Sequence, residues 1–153
     1  MLFPNRRADK PNLLFLWTDQ QRPDTMKVYG NSWIEAPNLN RLASESVVFE
    51  KCCDTQPVCT PARSSVMTGF WPHQNGCTNN NIALLRETPC VPEILKDPDY
   101  RTAYFGKWHL GDEVDAQHGF QEWVSIEDQY NSHYRKRHVC LWFSYRMAYY
   151  QNQ

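Results

Sequence analysis

No apolar run in these 153 residues approaches the roughly 20 needed to cross a bilayer. The opening MLFPNRRADKPN carries Arg6, Arg7 and Lys10 with no apolar stretch behind them, so it does not read as a secretory signal. The chain as given is therefore expected in the cytoplasm, or in the periplasm or outside the cell if a signal preceded it. An excess of charge is missing too. The formal net charge of −1 gives no general attraction to nucleic acid or to an anionic membrane surface. Any anion-binding site must arise from local geometry. Nor is there a C-x-x-C pair among the six cysteines, Cys52, Cys53, Cys59, Cys77, Cys90 and Cys140. That argues against a zinc ribbon and a thioredoxin-type redox site. At 41% hydrophobic and 22% charged residues, the composition is that of a globular protein with a real core, which needs no disulfide framework.

What is present suggests an α/β chain. The segment Asn12-Leu13-Leu14-Phe15-Leu16-Trp17 reads as a strand buried on both faces, with Asp19 just beyond its C-terminal end, where open α/β sheets place ligands. A turn-rich passage follows through Pro23, Gly30 and Asn31. A helix is expected from Pro37 to Val48, with Leu39, Leu42, Ser46 and Val47 near one face, although Val47-Val48-Phe49 also suits the start of a strand. Cys59-Thr60-Pro61-Ala62-Arg63 runs from a loop into a helix with Pro61 at or near its first position, ended by Thr68-Gly69 and Trp71-Pro72. Asn79-Asn80-Asn81 is loop, Val91 to Lys96 a short helix, and Arg101 to Phe105 a second strand leading into Gly106-Lys107-Trp108-His109-Leu110-Gly111. The order strand, helix, helix, strand implies crossover connections and a mostly parallel sheet flanked by helices.

The chemistry gathers around CTPARSSVMTG. A cysteine at a helix start sits where backbone N–H groups and the helix dipole favour an anion. Arg63 is one turn further on and can reach back towards the same place. A cysteine phosphatase of the C-x5-R type would need arginine at position 65, which is Ser65. The segment taken alone also suits a buried cysteine ahead of an ordinary helix with a surface arginine.

Four ordered segments carry a resemblance. C-T-P-A-R followed by M-T-G resembles the C-x-P-x-R…L-T-G signature of the type I sulfatases, of the alkaline-phosphatase-like superfamily, with Met67 where leucine is more usual. NLLFLWTDQQRPD resembles that family's first strand and metal-binding acid, PNLNRLASESVVF its first helix, and GKWHLG its second signature. The match runs from about Pro11 to about Tyr130. The T-D-Q-Q form resembles choline-sulfatase-like and phosphonate-monoester-hydrolase-like members, in which Gln20 stands in place of a second acid.

The resemblance implies that Cys59 is oxidised to formylglycine by a sulfatase-maturing enzyme. The hydrated aldehyde then attacks the sulfur of a small-molecule sulfate ester and afterwards releases sulfate. It implies further that Asp19, with Gln20 and the Cys59-derived oxygen, takes part in binding a divalent cation, Ca²⁺ before Mn²⁺ or Mg²⁺. Arg63 would support the formylglycine. Lys107 would neutralise a sulfate oxygen, and His109, two residues on and projecting to the same side of an extended loop, would protonate the leaving alcohol. Asn80 is a further substrate-binding candidate beside its plain reading as loop. The same motifs serve phosphonate or phosphate monoester hydrolases, and a non-catalytic oxyanion-binding module is the reading from another class.

The family's remaining metal ligands are absent, so the chain alone is expected to hold metal weakly and to hydrolyse little. Residues 1–134 read as the N-terminal part of a catalytic domain. After Asp128 no acidic residue occurs, while Arg135, Lys136, Arg137 and Arg146 crowd among aromatics. Residues 135–153 thus read as an atypical tail.

Overall fold

The computed structural model describes residues 10–125. The atypical tail lies outside them. The chain divides into two compact units, Met1–Cys53 and Asp54–Gln153.

In the first unit, two 3₁₀ turns, Pro23–Thr25 and Lys27–Tyr29, follow one another and end at Gly30, whose φ of 98° is left-handed. Asn31 organises them. Its side-chain amide donates to the Asp24 carbonyl at 2.9 Å, while its Oδ1 accepts the Trp33 and Ile34 amides at 3.1 and 2.8 Å. Helix α1 spans Pro37–Ser44, shorter than the sequence suggests, and Leu42 and Val47 are exposed. The β-branched pair Val47-Val48, poor in helix propensity, lies beyond its end, and residues 47–49 form neither helix nor strand. The expected strand over residues 12–17 is likewise corrected: no strand is found there, and Leu13 to Leu16 are exposed. A strand exists by its ladder, and among the described residues the only ladder joins the two strands of the second unit.

The second unit opens with α2, Cys59–Thr68. Cys59 is its first residue and Pro61 its third, a small correction. The placement is tolerable because N–H groups in the first turn have no intrahelical partner for proline to forfeit. Much of α2 is buried despite its serines and threonines. The hydroxyls are satisfied internally: Ser64 donates to the Pro61 carbonyl at 2.8 Å and Thr68 to the Ser64 carbonyl at 2.7 Å. Buried Asn75, in the short helix α3 (Pro72–Asn75), donates to Ser64 Oγ at 3.0 Å and accepts the Cys77 amide at 2.9 Å. Gly69, at φ 75°, closes α2 by donating to the Ser65 carbonyl at 2.8 Å.

Helix α4, Val91–Leu95, precedes strand β1, Ala103–Gly106, which pairs in parallel with β2, Glu122–Ser125. The connection from Lys107 to Gln121 is long enough for a parallel crossover, but no helix fills it. Its aromatic residues fill the core instead. Trp108 is fully buried and meets Tyr104 at 5.2 Å and Trp123 at 5.1 Å between ring centroids, both edge-on, and His118 at 5.7 Å. The α/β class and the parallel sheet flanked by helices agree with the sequence reading. Strand β2 and helix α3 were not anticipated.

Gly119, at φ 81°, lies against α4: a Cβ there would meet Glu93 Cγ at 2.8 Å and Pro92 Cβ at 3.0 Å. Gly76, at φ 84°, would present its Cβ to open space. Both substitutions to alanine carry the left-handed penalty, but only Gly119→Ala adds overpacking. It should lower stability by about 1–3 kcal/mol more than Gly76→Ala, read from urea unfolding midpoints; equal losses would refute the close packing.

Candidate active site

The N-terminus of α2 is built without its own cap. Val58 stands at the capping position and has no side-chain oxygen to offer. Asn80, distant in sequence, supplies one: its Oδ1 accepts the Thr60 amide at 3.0 Å. That bond gives Asn80 a supporting role beside its candidacy as a substrate ligand. Cys59, half-buried in the first turn, receives the Lys107 ammonium, with Nζ 3.7 Å from Sγ.

The loop from Lys107 to Gly111, here called the strap, is tied to α2 and β1 through its backbone. Arg63 donates from its guanidinium to the Lys107 carbonyl at 2.6 Å, and the Tyr104 hydroxyl donates to the same oxygen. Thr60 Oγ1 donates to the His109 carbonyl at 2.9 Å. The His109 amide donates to Glu113 Oε1, also at 2.9 Å. Arg63 is therefore not a surface residue: it is 6% exposed, with part of its guanidinium engaged on the strap. The expectation of an extended loop with alternating sides fails at His109. Its φ of 58° is left-handed, and Trp108, His109 and Leu110 are buried in succession.

Beneath the strap, His118 is fully enclosed beside Trp108, with Nδ1 3.5 Å from Glu93 Oε2. Burial lowers the pKa of His118, helped by nearby Arg86, and outweighs the Glu93 carboxylate that would raise it. Glu93 lies below the usual carboxylate range. Its partial burial acts upward but is overcome by the Cys90 amide, His118 and Arg86. Among the other cysteines, burial and then the Glu93 carboxylate push Cys90 up to about 12, and burial also raises Cys77. Those thiols are poor nucleophiles. Cys52 and Cys53 are exposed.

Cys59, Arg63, Asn80, Lys107 and His109 are thus brought together in the second unit. Thr60, Tyr104 and Glu113 join them as residues the sequence reading missed. Asp19 and Gln20 belong to the first unit, both exposed, with Gln20 at a left-handed φ of 56°. Among the described residues no three His, Cys, Asp or Glu side chains gather into a group able to hold a metal ion.

A family model described as Sulfatase matches residues 11–151. The chain belongs to the sulfatase family. It is 32% identical to an N-acetylglucosamine-6-O-sulfatase of Bacteroides thetaiotaomicron over 79% of this chain and 21% of that protein. It is 37% identical to an ulvan-active sulfatase of Formosa agariphila over 77% of this chain and 24% of that one. Among solved structures, a sulfatase from Bacteroides fragilis aligns with a TM-score of 0.64 at 32% identity, covering 88% of this chain and 29% of that one. Another, described as a complex with its substrate D-glucosamine-2-N,6-O-disulfate, aligns at 0.62 and 32% identity over 70% and 21%. The sulfatase chain described here therefore spans about a fifth to a quarter of the length of these curated relatives. Membership places its fold among the alkaline-phosphatase-like proteins.

The enclosed His118 gives the second unit a pH dependence of definite sign. Because the folded state holds this proton less readily than the unfolded chain, stability is full above the ordinary histidine range and falls as pH drops through about 6.5. Urea midpoints measured from pH 7.5 down to 5.5 should decrease, and His118→Phe should flatten that slope; an unchanged slope would remove His118 as its source.

Proposed function

We propose that this chain supplies the nucleophile end of a sulfate-ester hydrolysis site, with Cys59 converted to formylglycine. The observation that carries the proposal is the Lys107 ammonium 3.7 Å from Cys59 Sγ in the first turn of α2. A helix N-terminus and an ammonium converge on one reactive side chain, as an oxyanion requires. Position and partial exposure suit the modification: a half-buried side chain in a first turn leaves room for a diol where a packed core cysteine would not. When formed, that group supplies one hydroxyl to attack sulfur and a second whose deprotonation releases sulfate.

The rest falls to the side chains gathered around Cys59. Lys107 holds a sulfate oxygen against the helix end. Arg63 keeps Lys107 in place through its carbonyl. His109, the other titratable side chain of the strap, is assigned to the leaving alcohol. Asn80, with Oδ1 held by Thr60, offers its Nδ2 as a further donor to sulfate. The substrate is taken to be a small sulfate ester; the hexosamine sulfatases among the relatives favour a sulfated sugar, and sulfate over phosphonate. A sulfatase-maturing enzyme is the required partner.

Two measurements test the reading. After co-expression with a maturing enzyme, the peptide spanning Cys59 should lose its sulfur and two hydrogens and gain one oxygen. A thiol that persists with an active maturing enzyme would sink the proposal. In a mature enzyme carrying this segment, Lys107→Ala should lower aryl-sulfate turnover by about 10²–10³-fold, the cost of removing one oxyanion-stabilising donor.

A further inference from the structure

The geometry points to Glu113 as a positioning residue for this site, an inference that rests on the sulfate-ester reading only for its functional consequence. Glu113 lies outside every motif and is 6% exposed, and a carboxylate so enclosed is costly unless hydrogen-bonded. Oε1 accepts the His109 amide at 2.9 Å, and Oε2 accepts the hydroxyl of Ser125, the last residue of β2. The Glu113 backbone carbonyl accepts the indole N–H of buried Trp123 at 2.9 Å, two residues earlier on the same strand. One residue therefore ties the strap to β2 by main chain and side chain together.

Its part in the strap differs from that of the other anchors. Arg63 and Tyr104 hold the Lys107 carbonyl, and Thr60 holds the His109 carbonyl. Glu113 takes the His109 N–H. His109 stands at φ 58°, a conformation that a residue with a Cβ keeps only when its surroundings impose it. The carboxylate bond to its amide is such an imposition, with the added strength of a charged acceptor. If it is removed, His109 can relax towards negative φ. The backbone between His109 and Lys107 then shifts, and the ammonium loses its placement over Cys59.

The full chain is compared with Glu113→Ala and Glu113→Gln by residue-resolved amide exchange and by titration with inorganic sulfate. Glutamine keeps an oxygen for the His109 amide, and Ser125 can turn its hydroxyl to accept from the new N–H. In Glu113→Ala, exchange at His109 should quicken at least about tenfold relative to Ala62 and Gly69, whose amides close the two ends of α2, and sulfate affinity should fall about tenfold. Glu113→Gln should stay within about threefold of the parent on both readouts. The inference is overturned by unchanged His109 exchange in Glu113→Ala, or by exchange rising equally at Ala62 and Gly69. It is overturned as well by unaltered sulfate affinity despite faster His109 exchange, or by a glutamine variant as impaired as the alanine one. If Glu113→Ala does not fold, Glu113→Asp, one methylene short of His109, takes its place with the same expected direction. A parent chain that binds no sulfate would defeat the sulfate-ester reading, while the exchange pattern would still decide whether Glu113 holds His109.

Discussion

The hydrogen bond from the Arg63 guanidinium to the Lys107 carbonyl is the contact on which the arrangement of this site depends. A guanidinium at 6% exposure has few ways to be satisfied, because burial of an unpartnered charge costs several kcal/mol. A backbone carbonyl 2.6 Å away is a charge-assisted partner of definite position. Since Arg63 sits one turn from Cys59 on a rigid helix, the bond fixes a residue far along the chain relative to the helix N-terminus. The two motifs that stand apart in the sequence become one object through that contact.

A single hydrogen bond does not hold a loop, and the strap is anchored from below as well. Trp108 inserts between Tyr104, Trp123 and His118 and is fully enclosed by them. An indole of that size has one acceptable place in a packed core, so its burial sets the register of its neighbours. Leu110 adds a second anchor: it is buried, and its carbonyl accepts the Leu84 amide at 2.9 Å. Packing thus decides where the strap lies, and hydrogen bonds to its carbonyls and to the His109 amide decide how it is turned.

The sequence made the helix at Cys59, its glycine stop, the short helix near Val91 and the strand before GKWHLG legible, because each has a local cause in proline, glycine or an apolar run. The gathering of Cys59, Arg63, Lys107 and His109 was legible through the ordered motifs, although their spacing contained no distance. Glu113 was not legible. Its role depends on reaching an amide four residues back and a hydroxyl on β2, a strand too short to announce itself. Asn80 was ambiguous for the same reason, since the cap it supplies belongs to a helix twenty residues earlier. The segment Leu13 to Leu16 shows the opposite failure. Its composition is that of a buried strand, yet composition states only what a segment can bury, and its surroundings decide whether it does.

A chain of net charge −1 can still favour an anion at one point, because the field there is set by what lies within a few ångströms. At Cys59 the nearby positive contributions are the helix end and the Lys107 ammonium. Just beyond the strap, the Glu113 carboxylate accepts hydrogen bonds from the His109 main-chain amide and the Ser125 hydroxyl. A carboxylate occupied in this way holds the loop that carries the lysine while its own charge is spread over two donors. Had the same acid been exposed at the loop surface, it would have competed for the ammonium as an ordinary ion pair. Burial of Glu113 thus serves an oxyanion site by ordering the strap that carries Lys107, through hydrogen bonds to His109 and Ser125.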